Sequence, residues 1–400
     1  MRGPGMRRAL HHDQRPLRSI HPFLTVVILV LSSTTASAAE IPQRIPETQT
    51  VERVAPGVEH VAIRREGSAG KEGADRWAIH ALILDPSRVR LELCRALDEG
   101  VGTESASSMA GRHGALAAVN GGYFRTAGLY KGEPAGLVEV GGRVLSEPSR
   151  KRPGLAVMNG SGGSRAAVVS VDFRAEAVAA NGAARAIDGL NRPREADELI
   201  LFTPEFHRTT LTGPRGVEAV VVEGLVTAVF EGQGSRRIPE NGFILSAAGK
   251  AGLWLRDNLR AGQTVELRTS ASINPEPGFA PDFIIGGGPS LVREGKPVAR
   301  SDAGTYDQGF SLKRHPRTAA GIRADGTVVL VTVDGRQPGT SVGMTIAELE
   351  ALMIEFGSVE AINLDGGGST TLVIKAKVVN SPSDASGERP VSDALLVFLR

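Results

Sequence analysis

The sequence predicts an α+β fold, a mixed, β-rich domain with a few helices packed on the sheet. Three observations carry that expectation. The 400 residues include 49 Gly and 23 Pro but only 4% aromatic residues, which suits tight turns joining short strands better than a helical bundle. Short apolar runs bounded by Gly, Pro or Asn recur along the chain. One segment, "TIAELEALMIEF", instead places Leu349, Leu352, Met353 and Phe356 on a single helical face. A hydrophobic content of 41% suffices for a full core, in one large domain or two ordinary ones.

From the N-terminus, basic residues up to Arg18 precede the apolar run "FLTVVILVL" (Phe23 to Leu31) and then the small-residue site Ala36-Ser37-Ala38. This order reads as an export signal over residues 1–38, cleaved after Ala38, because the run is well short of the roughly 20 residues a bilayer needs. Residues 39–50 read as a polar, Pro-containing linker, and order is expected from about Val51 through residue 400. "WAIHALILD" and "VRLELCRAL" read as two strands joined by a short turn, with Cys94 at a strand position, and a helix is expected from Thr103 to Arg112. Short strand signals fill the region from Gly132 to Phe173. Residues 187–270, with "ADELILFTPEF", "GVEAVVVEGLVTAVF" and "AGQTVELRTS", read as a β-rich insertion or subdomain.

The region from Arg317 onward is the most explicit. "RTAAGIRADGTVVLVTVDGR" is a hairpin pattern across Asp325-Gly326. Thr345 and Glu348 form a capping box for the helix, and "SVEAIN" is a short buried strand. An internal echo links "HGALAAVN" and "FGSVEAIN": each follows a predicted helix, ends on an asparagine and enters a glycine turn. If the echo is structural, Asn120 and Asn363 occupy equivalent strand ends and the two turns face one cleft.

The charge balance narrows the function. Lys+Arg 46 against Asp+Glu 44 leaves a net charge of +2, with no basic stripe interleaved with aromatics, so no nucleic-acid partner is expected. "NLDGGGST" sets Asn363, Asp365, Ser369 and Thr370 around a backbone that can approach a ligand closely, through Gly366 and Gly367. The alternative is a glycine-rich hairpin in which Asp365 makes only an Asx-turn. No Lys follows the glycines and no G-x-G-x-x-G is present, which excludes a P-loop and a dinucleotide fingerprint. "AVNGGYF" adds Asn120, Gly121, Gly122 and Tyr123, "HPRTAAG" adds Arg317 and Thr318, and "VTVDGR" adds Asp334 and Arg336. An arginine is usually a solvated surface residue, but its planar fork also holds phosphate or carboxylate by two parallel bonds. Asp334 reads equally as a turn residue. The chain after the signal has no His/Asp cluster with metal-ligand spacing, so no cofactor or metal is expected; calcium held by Asp and backbone oxygens would leave no spacing signature.

At "NGGYF", "GGGPSLV" (which includes Gly287), "RHPRTAAGI", "VDGR", "NLDGGGSTT" and "NSPSDASGERPVSDALLVF" the sequence resembles the phosphodiester glycosidases, a family with bacterial exopolysaccharide-related members. The resemblance covers roughly Val51 to the C-terminus and is least diagnostic over the insertion. It implies a hydrolase that cleaves between a sugar C1 and a phosphodiester oxygen, acting on a sugar phosphodiester or polysaccharide in the periplasm or outside the cell. It further implies Asp365 as the catalytic carboxylate, with Asp334 and Glu388 as candidates for a second acid or base. Arg317 and Arg336 would grip phosphate, while Asn120, Thr318 and Asn363 would position sugar hydroxyls or phosphate oxygens. The chain has Asp393 where the family usually has Asn. Two other readings stay open: a phosphoesterase cleaving P–O in the same substrates, and a non-catalytic polysaccharide-binding envelope protein.

Overall fold

A computed structural model describes residues 47–67, 75–149, 152–298, 306 and 308–400. The expected signal segment and the first part of the expected linker lie outside the described residues. The linker's last four residues are already strand, since Glu47–Ala55 pairs antiparallel with Val58–Glu66. Among the described residues, no helix is long and apolar enough to cross a membrane.

The fold class is corrected to β-rich. Strands make up 48% of the described residues and helices 11%, so the helices are accessories to sheets and not one half of an α+β arrangement. The reason lies partly in long paired strands that the sequence shows only as scattered signals. Gly163–Ala179 is one 17-residue strand with an alternating burial pattern over much of its length, paired along its second half with Val265–Asn274.

The sheet that delivers the site has eight antiparallel strands. Their order is Glu47–Ala55, Val58–Glu66, Arg76–Leu84, Val328–Val333, Arg317–Arg323, Ser358–Asn363, Ser290–Arg293 and Lys296–Pro297. Val328–Val333 ("VVLVTV") is buried at every position because both of its faces are covered. Val328 and Leu330 face a core shared with a five-stranded sheet, while Val329, Val331 and Val333 face the helix Ile346–Glu355 through Leu349, Leu352 and Met353. The expected capping box is present: Thr345 Oγ1 accepts from the Glu348 amide at 3.2 Å, and Glu348 accepts from the Thr345 amide at 2.8 Å.

The five-stranded sheet runs Lys377–Val378, Leu372–Ile374, Ala117–Asn120, Asp393–Leu399 and Val89–Arg95. Its outer face carries α1 (Ala106–His113), packed through Met109 and Ala110 on Ala118 and Leu396. The strands Arg76–Leu84 and Val89–Arg95 are joined by a short turn, as expected, yet they enter different sheets and do not pair with each other. Alternation marks a strand but not its partner. Cys94 does occupy a strand, and burial pushes its thiol up to about 12, so it is inert as a nucleophile at neutral pH.

Residues 189–247 supply a further five-stranded sheet, Gly189–Leu190, Leu199–Phe202, Gly242–Ala247, Val217–Val222 and Leu225–Glu231, against which α2 (Gly249–Asn258) buries Ala251 and Leu255. A seven-stranded sheet includes Pro153–Gly160 and Phe283–Gly286, whose Leu155 and Ile285 join the central core with Leu82 and Ile362.

Candidate active site

Three strand ends converge because two asparagines tie them together. Asn120 ends its strand fully buried: its Nδ2 donates to the Asp365 carbonyl at 2.7 Å, and its Oδ1 accepts from Thr318 Oγ1 at 2.8 Å and from the Thr371 amide at 3.1 Å. The Asp365 amide donates to the Gly121 carbonyl at 3.0 Å, so the two glycine turns that the internal echo pointed to are stitched to each other. Asn363 donates from Nδ2 to the Tyr123 hydroxyl (2.7 Å) and to the carbonyls of Gly288 (3.0 Å) and Leu364 (2.6 Å), while its buried Oδ1 has no partner among the described residues. Gly287 presses on the Asn363 carbonyl, where a Cβ would stand 2.5 Å away.

Asp365 stands half-buried just past this knot. Burial pushes its carboxyl up to about 6, against the Ser369 hydroxyl, the Gly366 amide and the Arg389 guanidinium, which favour the ionised form; Asp393 adds to the rise. Each glycine that follows has a steric reason. A Cβ at Gly366 would lie 2.7 Å from the Pro316 carbonyl, Gly367 has φ +64° with Arg336 Nη2 3.0 Å from its Cβ position, and a Cβ at Gly368 would collide with Arg389 and Asp384. Arg336 is exposed, with its Nη2 3.4 Å from His315 Nδ1, and it forms no ion pair among the described residues. Arg389 is paired with Asp384 at 2.7 Å.

Several residues singled out by sequence have other work. Arg317 is 1% exposed, and its Nε and Nη2 donate to the carbonyls of Met344 (2.8 Å), Phe310 (2.6 Å) and Lys313 (3.1 Å), which leaves Nη1 as the arm without a protein acceptor among the described residues. Burial lowers it to about 10. Asp334 accepts from Asn380 Nδ2 at 2.9 Å and from the Ser381 amide at 3.0 Å, which fixes the segment after the second glycine turn; burial raises its carboxyl and these bonds oppose the rise. Glu388 accepts from the amide and hydroxyl of Ser107 in the first turn of α1, an anion at a helix N-terminus. Asn120 and Thr318 bond to each other and to the backbone, so they position Asp365 from behind. Gly121 and Gly122 lie over Asp393, whose Oδ1 accepts from the Gly122 amide at 2.7 Å. Asp393 is 1% exposed and burial raises its carboxyl.

Sequence reasoning named Tyr123 in its motif but missed the rest of the aromatic wall of the site, Phe310 and Tyr306. Tyr123 donates to the Gly288 carbonyl at 2.7 Å and meets Phe310 edge-on at 6.4 Å, while Phe310 stacks on Tyr306 at 5.5 Å. Burial raises the Tyr123 phenol. Tyr123 lies inside a quoted motif, and its place two residues after the first Gly was the available signal. Among the described residues, one group of metal-type donors lies close together, Cys94, Asp98 and His113, and Arg112 is hydrogen-bonded to all three.

A half-buried carboxylate flanked by guanidiniums fits the chemistry implied by the motifs, and comparison with known proteins agrees. Residues 215–398 match the phosphodiester glycosidase family. The resemblance carried by the motifs is thereby shown over the region that holds Arg317, Arg336, Asn363 and Asp365. N-acetylglucosamine-1-phosphodiester alpha-N-acetylglucosaminidase of Bos taurus, an enzyme of this chemistry by its name, is 40% identical over 68 residues, 17% of this chain and 12% of its own. The SPbeta prophage-derived uncharacterized protein YomE of Bacillus subtilis is 40% identical over 107 residues, 27% of this chain and 16% of its own. The chain thus covers well under a fifth of either relative. A crystal structure of a candidate exported protein from Burkholderia pseudomallei K96243 shares the fold with a TM-score of 0.79 at 25% identity, over 89% of this chain and 97% of that one. The phosphodiester glycosidase match begins at residue 215, so Asn120 and Tyr123 reach the site from outside it.

Proposed function

We propose that this chain is an exported glycosidase that hydrolyses the C1–O bond of a sugar-1-phosphodiester, on glycans of the cell envelope or outside the cell. The observation that carries this reading is Asp365, a carboxylate at the end of a buried strand with Arg336 at its glycine turn and Arg389 acting on its charge. A carboxyl lifted to about 6 is mostly ionised at neutral pH, ready to stabilise or attack a developing oxocarbenium centre at C1. The departing phosphate is already a stable anion, so the reaction needs cationic donors more than a general acid. That lessens the need for Asp334 and Glu388, whose carboxylates are bonded elsewhere. Of the two arginines named from sequence, Arg336 is exposed at the turn and open to the phosphate, whereas Arg317 keeps one arm, Nη1, without an acceptor among the described residues. Asn120, Thr318 and Asn363 hold the turn in register, while Ser369 and the Gly121-Gly122 backbone border the reacting position.

The bond that breaks tests the proposal. In oxygen-18 water, C–O cleavage places label on the sugar C1, provided that the sugar is reduced at once so its anomeric oxygen does not exchange. The phosphate then leaves with its bridging oxygen unlabelled. Label in the phosphate product would replace the glycosidase with a phosphoesterase acting by in-line displacement. No turnover of any sugar-1-phosphodiester would leave a polysaccharide-binding protein.

A further inference from the structure

Arg152 immediately precedes the strand Pro153–Gly160, outside the family-matched region and outside every quoted motif. Its guanidinium carbon lies 5.4 Å from the ring centroid of Tyr123 and 5.2 Å from that of Tyr306. Two ring faces therefore hold the cation in place, and among the described residues no carboxylate pairs with it. Its Nε is buried and has no acceptor among the described residues. Ring faces engage the flat sides of a guanidinium and leave its N–H rim in the plane, so the donors that suit a two-oxygen anion remain available.

The same wall leads to the carboxylate. Phe310 stacks on Tyr306 and carries the Arg317 guanidinium at 4.7 Å over its own ring. Tyr123 is hydrogen-bonded to Asn363, two residues before Asp365. Arg317 is the motif arginine, yet its Nε and Nη2 already have carbonyl acceptors, whereas the Arg152 Nε has none among the described residues. A buried, unmatched Nε next to two oriented aromatic faces is a half-made binding site in the sense that its missing partner is an acceptor.

We propose that Arg152, clamped between Tyr123 and Tyr306, binds phosphate oxygens of the ligand beside Asp365, the part the motifs give to Arg317. This rests on Asp365 being the reaction centre, and it makes the phosphate grip a property of the region that precedes the family-matched residues.

The test is calorimetric titration of the full exported chain with inorganic phosphate, with acetate as a second anion. Wild type is expected to bind phosphate, and Arg152→Gln to weaken it at least about tenfold with an unchanged melting temperature, the scale of a lost charge-assisted pair. Arg152→Lys should fall between them, because it keeps charge but loses the fork; it also stands in if Arg152→Gln does not fold. Equal phosphate affinity in wild type and both Arg152 variants, no phosphate binding by wild type, or acetate binding as tightly as phosphate would each overturn the inference. Turnover of a chromogenic sugar phosphodiester is read separately. Turnover with phosphate affinity indifferent to Arg152 defeats this inference alone, and phosphate binding without turnover defeats the glycosidase reading alone.

Discussion

Replacing Asp365 by asparagine removes a charge from a place where burial opposes it, so the variant should gain stability while it loses activity. The carboxyl moves from its usual 3.8 to about 6. That rise of about 2 pH units corresponds to on the order of 3 kcal/mol against the ionised form in the folded chain. The sign follows from proton binding: between about 3.8 and 6 the folded state keeps a proton that the unfolded state has lost, so the wild type loses stability as pH rises through that window. Asparagine keeps the acceptor that receives the Gly366 amide at 2.9 Å and carries no charge. At pH 7.5 Asp365→Asn should therefore melt a few degrees above wild type, and at pH 4 the two should coincide. Turnover of a sugar-1-phosphodiester should fall at least about a hundredfold, the scale of a lost acid, base or nucleophile. Wild-type activity should rise with pH through a midpoint near 6 if the ionised form acts. Calorimetry at the two pH values and steady-state kinetics decide it. Near wild-type turnover would refute the catalytic role, and a stability gap that does not change with pH would refute the burial argument.

Arg317→Lys should lower the melting temperature by losing three carbonyl contacts, while the ratio of rates on phosphodiester and simple aryl glycoside substrates stays near wild type; a selective loss on the phosphodiester would restore Arg317 as the clamp. Glu388→Ala should cost about 1 kcal/mol in urea unfolding by removing the anion at the start of α1, with turnover within about twofold of wild type; a large rate loss at intact stability would return it to the catalytic set. Gly368→Ala should push Arg389 and Asp384 apart and reduce turnover by about tenfold or more in a folded protein, measured by kinetics beside a melting curve. N-terminal sequencing of exported protein should begin at Ala39, and an intact Phe23 to Leu31 segment in membrane fractions would contradict the signal reading.

What was legible in the sequence was local. The Thr345–Glu348 cap, the Asp325-Gly326 turn between Arg317–Arg323 and Val328–Val333, and the two strands ending at Asn120 and Asn363 each depend on residues a few positions apart. The α+β expectation failed where pairing is long-range: Gly163–Ala179 takes Val265–Asn274 as partner, nearly a hundred residues away, and neither segment announces the other. The burial of Arg317 was hidden for a similar reason. A guanidinium is normally a surface group, and nothing near it in sequence signals that Met344, Phe310 and Lys313 will offer it carbonyls. Arg152 and Tyr306 were invisible because their connection to Tyr123 exists only once the chain has folded.

The three glycines after Asp365 now have a common cause. A side chain at Gly366 would displace the Pro316 carbonyl, one at Gly367 would press on Arg336, and one at Gly368 would strike Arg389 and Asp384. The turn is bare so that main chain and cations close in around one carboxylate. Arg389 favours the ionised acid, and burial opposes it more strongly, so the Asp365 carboxyl is pushed up to about 6 instead of 3.8. A site balanced in that way responds to its ligand. An anion bound beside Asp365 would add like charge to a carboxyl that burial has already raised, and make it more basic while that anion is in place. On the glycosidase reading, departure of the phosphate removes that like charge, so the carboxylate is more basic while the phosphodiester is bound than after the phosphate has left.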